Sequence, residues 1–169
     1  MDVIYLAGGC FWGTQKFFDC LTGVTATEVG YANGKTAAPT YEQVKYEGTG
    51  HAETVKVAYD PAAISLDGLL EMYFRIIDPT SVNKQGGDEG VQYRTGIYYT
   101  NDAQKEAAER ALGELQKQYA APLAVECKPL KHFYTAEEYH QKYLDKNPAG
   151  YCHLSPAMFE LARQYGKEN

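Results

Sequence analysis

The segment Gly8-Gly9-Cys10-Phe11-Trp12-Gly13 sets a thiol behind two glycines and ahead of two large aromatic rings. The apolar spacing of Phe11, Trp12, Phe17, Phe18 and Leu21 predicts a helix from Cys10 to about Leu21, with the thiol at its N-terminus. Unpaired N–H groups and the positive end of the helix dipole there favour a thiolate. A free thiol near pKa ~8.5 is only slightly ionised at neutral pH, so a drop of ~1–2 units would make a strong nucleophile. The glycines admit a close-approaching substrate, and Phe11 and Trp12 could wall an apolar slot for a small hydrophobic group. A buried structural cysteine fits the same position, and free cysteines are commonly buried. Helix position and glycines alone leave both readings open.

Other groups offer further chemistry. Cys10, His51 and Glu53 together could form a nucleophile, base and acid for a hydrolase or acyltransferase. Cys152-His153 and the pair Cys127 and His132 are the metal-like fragments, and neither has the spacing of a zinc site. The four cysteines (Cys10, Cys20, Cys127, Cys152) show no C-x-x-C pair and no secreted disulfide pattern, so reduced thiols in a cytoplasmic setting are expected. His132 and His140 read as surface or packing residues, His153 as a neighbour that could tune the Cys152 thiol or lie beside it by chance, and His51 equally as a neighbour of the site or a structural hydrogen-bonding group.

The chain that positions these groups has 169 residues, one domain's length, with 44% apolar and 22% charged residues. A formal net charge of −6 with no basic cluster argues against nucleic acid and anionic membranes as partners. The N-terminal residues lack a signal peptide's basic region and core, and no apolar run reaches membrane-spanning length.

Strands are expected over residues 3–7, 25–31, 54–59 and 96–99, the third from the alternation of Val55, Val57 and Tyr59. Ser65 should cap a helix carrying Leu69, Leu70, Tyr73, Phe74 and Ile77 on one face. Asn101 opens a helix to about Tyr119, with Ala103, Ala107, Ala111, Leu115 and Tyr119 in four-residue steps. Leu123, Val125 and Cys127 alternate as a strand, and Thr135-Ala136-Glu137-Glu138 reads as a capping box for a helix to about Asn147. The order β-α-β-β-α-β, followed by α-β-α, predicts one α+β domain over 1–169 with a ferredoxin-like split βαβ core and a C-terminal extension. Residues 32–52, 79–94 and those after Asn147 fit no regular element. They are tyrosine-rich and suit ordered loops around a pocket.

Gly9-Cys10-Phe11-Trp12-Gly13 resembles the signature of the peptide methionine sulfoxide reductase A family. The resemblance continues in register through Val29-Gly30-Tyr31, Pro39-Thr40-Tyr41-Glu42-Gln43-Val44, Gly50-His51-Ala52-Glu53 and Asp78-Pro79-Thr80. Gln85-Gly86-Gly87-Asp88, Gln92-Tyr93-Arg94, Phe133-Tyr134, Ala136-Glu137-Glu138-Tyr139-His140-Gln141 and Asn147-Pro148-Ala149-Gly150-Tyr151-Cys152 complete it, over roughly residues 4 to 154. Small departures are Asn33 for a usual glycine, Gly87 for asparagine and Val91 for threonine.

What the resemblance implies is thiol-dependent reduction of methionine S-sulfoxide, free or in oxidised proteins under repair, without a metal or other cofactor. Cys10 would attack the sulfoxide sulfur and become a sulfenic acid. A protonated Glu53 would supply the proton, Tyr41 and Tyr93 would donate hydrogen bonds to the oxygen, Asp88 would orient this set, and Phe11 and Trp12 would hold the S-methyl group. The resemblance also implies a resolving thiol in its Gly-Tyr-Cys motif, here Cys152, with the Cys10–Cys152 disulfide then reduced by thioredoxin or a similar dithiol protein. Cys20 lies ten residues along the predicted helix from Cys10, roughly 15 Å away, too far for a disulfide. Cys127 falls in a predicted strand, whereas Cys152 falls in a Pro/Gly-containing loop that can move.

Overall fold

The computed structural model describes residues 2–165; Met1 and residues 166–169, which the expected span of 1–169 includes, lie outside them. The elements run β1 (Asp2–Gly8), α1 (Phe11–Cys20), β2 (Val24–Ala32), α2 (Tyr41–Tyr46), β3 (Ala52–Tyr59) and α3 (Leu66–Arg75). A small hairpin, β4 (Lys84–Gln85) and β5 (Asp88–Glu89), leads through a 3₁₀ turn at Val91–Tyr93 into β6 (Thr95–Tyr99). Then come α4 (Asp102–Gln116), β7 (Glu126–Pro129), β8 (Phe133–Thr135), a 3₁₀ turn at Glu138–His140, α5 (Tyr143–Lys146) and α6 (Pro156–Gln164). The architecture is α+β.

The main sheet has six strands in the order β7-β6-β1-β3-β2-β8. β1 pairs antiparallel with β3 and β6, β3 with β2, and β2 with β8, while β7 joins β6 in parallel. Strand alternation divides the side chains between two faces. Ile4, Leu6, Val29, Val55, Val57 and Ile97 enter the large core with Phe17 and Phe18 of α1, Leu69, Leu70 and Tyr73 of α3, and Phe159 of α6. The opposite face holds a smaller cluster of Ala7, Ala32, Ala52 and Tyr98, with Tyr5 against Phe133. Glu53 shares the parity of Val55 and Val57, so β3 delivers its carboxyl to the helix face, beside the start of α1.

Ser65 caps α3 by accepting the Gly68 N–H, and Asn101 caps α4 by accepting the Gln104 N–H. Along α4 the buried stripe is Gln104, Ala107, Ala108 and Leu115, and Ala103 is exposed. A row of four-residue steps drifts around a helix of 3.6 residues per turn, which explains the difference.

Three other expectations are corrected. The terminal strand covers Glu126–Pro129, later than the Leu123–Cys127 alternation suggested, because its register is set by parallel pairing with Gly96–Tyr99. The helix expected from Thr135 to Asn147 does not form. Thr135 pairs with Gly30 in the sheet and donates its hydroxyl to Glu28, and Gln141 spends its amide on the Val29 backbone, so tertiary bonds override the local capping signal. The stretches expected to be irregular hold α2, the β4–β5 hairpin and α6. Thr40 and Gln43 form a reciprocal capping box at α2, the T-x-x-Q pattern the sequence does contain.

Candidate active site

Cys10 is the N-cap residue of α1 and is only 7% exposed. Thr14 locks this turn by donating its hydroxyl toward Gly8 O and Cys10 O, at 3.2 and 3.1 Å. The expected lowering of the thiol pKa does not occur. Burial pushes it well above its ordinary value and the nearby Glu53 adds to this, outweighing the Trp12 N–H that stabilises the thiolate. The helix N-terminus contributes one opposing hydrogen bond to a site dominated by desolvation.

Glu53 is 2% exposed and accepts the Phe11 N–H at 3.1 Å, one residue past the thiol. Burial pushes its carboxyl up to about 8, against the pull of that N–H. At neutral pH the group is therefore mostly a carboxylic acid able to give a proton. Tyr41, at the start of α2, and Tyr93, in the 3₁₀ turn before β6, face Cys10 and Glu53, and their hydroxyls hydrogen-bond each other. Burial raises both phenols well above their ordinary value, so both remain O–H donors. Asp88 of β5 adds negative potential at Cys10, Glu53 and Tyr93, and it accepts the Tyr151 hydroxyl at 3.1 Å. The six groups come from six separate chain segments, and the fold brings five of them around one thiol.

Phe11 is buried against Tyr31, Tyr41 and His140, while Trp12 stays partly exposed. The Trp12 ring stacks on Tyr143 at a 3.7 Å centroid distance, and its indole N–H donates to His140 Nδ1 at 2.9 Å. His140 is 1% exposed and packs on Tyr41 as well, so of the two expected roles, surface or packing, it takes the second: it clamps the aromatic wall. Glu137 is a second residue that the sequence reading left unassigned. It accepts the Tyr31 hydroxyl at 2.8 Å and the Tyr41 N–H at 3.0 Å, fixing α2 to β2. The unused signal is the cluster of polar and aromatic residues in 136–143, within the segment read as a helix.

Cys152 lies against α1: a Cβ added at Gly13 would meet its Sγ at 3.0 Å and His153 Nδ1 at 3.2 Å. Cys10 and Gly13 are three residues apart, hence on one face of the first turn. Neither Cys20 nor Cys127 belongs to this group: Cys20 ends α1, packed at the edge of the main core, and Cys127 lies in β7. His51 is fully buried but turned away from chemistry, since Nδ1 accepts the Gly34 N–H and Nε2 sits 2.7 Å from Thr36 O. Both ring nitrogens are occupied, so a Cys10–His51–Glu53 hydrolase lacks its base. Among the described residues no three His, Cys, Asp or Glu side chains gather as a metal site, and no helix is long and apolar enough to cross a membrane. A surface groove of about 630 Å³ runs between α3 and α4, and none of the site residues lines it.

The sequence profile of the family "Peptide methionine sulfoxide reductase" matches residues 2–168. The chain belongs to this family of oxidoreductases. It is 58% identical over 160 residues to the peptide methionine sulfoxide reductase MsrA of Lachnoclostridium phytofermentans, covering 95% of this chain and 96% of that one. Among solved structures it is similar to the reduced form of Mxr1 from Saccharomyces cerevisiae, at 41% identity and a TM-score of 0.83 over 90% of this chain and 88% of that one. Mxr1 in complex with Trx2 matches at 28% identity and a TM-score of 0.58, over 84% of each chain. The likeness to reductases spans both the Cys10 turn and the Cys152 loop.

Proposed function

We propose that this chain reduces methionine S-sulfoxide, in oxidised proteins and free, through a Cys10 sulfenic acid and a Cys10–Cys152 disulfide. The observation that carries the reading is the buried Glu53 carboxyl, hydrogen-bonded to the Phe11 N–H beside the thiol and pushed up to about 8 by burial. Phe11 and Trp12 hold the substrate methyl group, Tyr41 and Tyr93 donate to the sulfoxide oxygen, and Asp88 orients them. Cys10 attacks the sulfur as Glu53 protonates the oxygen; the oxygen moves to Cys10 and methionine leaves. The Cys10 proton returns Glu53 to its acid form, so the step balances without a cofactor.

Cys152 then displaces water from the sulfenic acid. Thioredoxin, or a dithiol protein like it, reduces the resulting disulfide, a reading supported by the complex of Mxr1 with Trx2. Four unpaired thiols support a reducing, cytoplasmic setting. The strand order β6-β1-β3-β2, with α1 and α3 as crossovers, supports a split βαβ core within a single domain.

The test mixes pre-reduced protein with methionine S-sulfoxide, without reductant, and maps disulfides by peptide mass. One methionine per chain and a Cys10–Cys152 link are expected. Methionine without that link would overturn the recycling scheme, and no methionine from folded protein would overturn the reaction itself.

A further inference from the structure

His153 has no part in the sulfoxide step, yet it is held in one orientation against the first turn of α1. Its Nε2 lies 3.1 Å from Gly8 O, and a carbonyl only accepts, so Nε2 carries the ring proton and Nδ1 carries the lone pair. That Nδ1 is buried without a hydrogen-bond partner. An unpaired buried acceptor is costly, and its persistence beside a reactive group points to use. The lone pair and Cys152 Sγ converge on the same bare patch at Gly13, 3.2 and 3.0 Å from the point where a side chain would begin.

We propose that Nδ1 of His153 accepts the proton of the Cys152 thiol when that thiol attacks the oxidised Cys10. This role rests on the reductase reading above. As the Cys152–Cys10 bond forms, the Cys10 S–O bond breaks, and the proton held on His153 passes to the departing hydroxide as water. Cys152 is oxidised and Cys10 is reduced by the same electron pair, so no outside oxidant is needed.

The surroundings suit the exchange. Burial lowers the His153 pKa, against the Asp88 carboxylate and Gly8 O, which keeps the ring neutral. Burial also raises the Cys152 thiol, against the Leu154 N–H and Lys16, so it reaches the step still protonated. A protonated thiol needs a base. Besides these two residues, the titratable groups facing the pair are Asp88, Lys16, Cys10 and Tyr151.

The test is a rapid-quench single turnover of the intact chain with methionine S-sulfoxide, reading methionine release and the Cys10–Cys152 disulfide separately from pH 6 to pH 9. His153→Gln keeps an amide that can donate to Gly8 O but has no basic nitrogen. His153→Asn is assayed beside it, so that one poorly folded variant does not decide the matter. For both, the rate of disulfide formation relative to methionine release should fall about 100-fold at pH 7 and recover as pH rises toward the thiol pKa. An unchanged ratio, or a loss equal at every pH, would overturn the proposal. Wild-type protein that releases no methionine would instead remove the underlying reading.

Discussion

Glu53 accepts the backbone N–H of Phe11 at 3.1 Å, so the acid of β3 is tied to the turn that carries the thiol. The donor is backbone N–H, so the bond holds the Glu53 carboxyl beside Cys10 at a fixed point of the turn. It also stabilises the ionised form of Glu53, and burial still wins.

Glu53→Gln keeps an acceptor for that N–H and removes the proton. Single-turnover methionine release should slow by about 100-fold at pH 7. In the wild type the same rate should fall as pH rises through about 8, the carboxyl's value, and the variant should lose this limb. Rapid-quench assays across pH measure both, and a variant matching the wild type would remove Glu53 from the proton path.

The raised carboxyl also links stability to pH. Its folded value of about 8 lies above its ordinary 4.5, so the folded chain binds the proton more tightly. The contribution is fully present below about 4.5 and is lost as pH rises to about 8, above which it levels off. The loss amounts to several kcal/mol at most. Urea unfolding between pH 5 and pH 9 should show this decline in the wild type and a flatter profile in Glu53→Gln.

Gly13→Ala sets a methyl group against Cys152 Sγ and His153 Nδ1. The terminal loop must give way, so disulfide formation should slow while each chain still releases one methionine. Helix propensity favours the alanine by about 1 kcal/mol, so lost stability is not the expected cause. Thermal melting together with mass-resolved disulfide kinetics separates the two effects.

Cys152→Ser should release one methionine per chain and then stall with thioredoxin as sole reductant. A small-molecule thiol, able to reach Cys10 directly, should restore turnover. Repeated turnover with thioredoxin alone would move the resolving role elsewhere.

His51→Ala offers the contrast. It leaves the Gly34 N–H and Thr36 O unpaired, which should cost about 1–3 kcal/mol in denaturant unfolding. The methionine-release rate of the folded variant should stay within about twofold of wild type. A collapse in that rate would return His51 to the chemistry.

Much of this arrangement was legible in the residues, and for physical reasons. Cys10 before a helical spacing of aromatics, and Glu53 in phase with Val55 and Val57, follow from side-chain periodicity, which is local. The desolvation of Cys10 was not legible, because burial comes from β3, α2 and the terminal loop closing over it. Two capping boxes illustrate the limit: Thr40 with Gln43 forms one, while Thr135, with a similar signature, pairs into the sheet instead. His140 and Tyr143 gain meaning only when the 136–143 segment folds back onto Trp12, more than a hundred residues away in sequence.

The bond between His153 and Gly8 spans 145 positions of the chain, and it carries a consequence for biosynthesis. Cys10 is synthesised early, and the strands that bury it, the histidine that clamps its aromatic wall and Cys152 follow in that order. A nascent chain thus exposes an ordinary, unhindered thiol until these later segments have been made and have folded over it. A product cut short before residue 152 would lack both the Gly8–His153 bond and the Cys152 thiol that packs against Gly13 of α1.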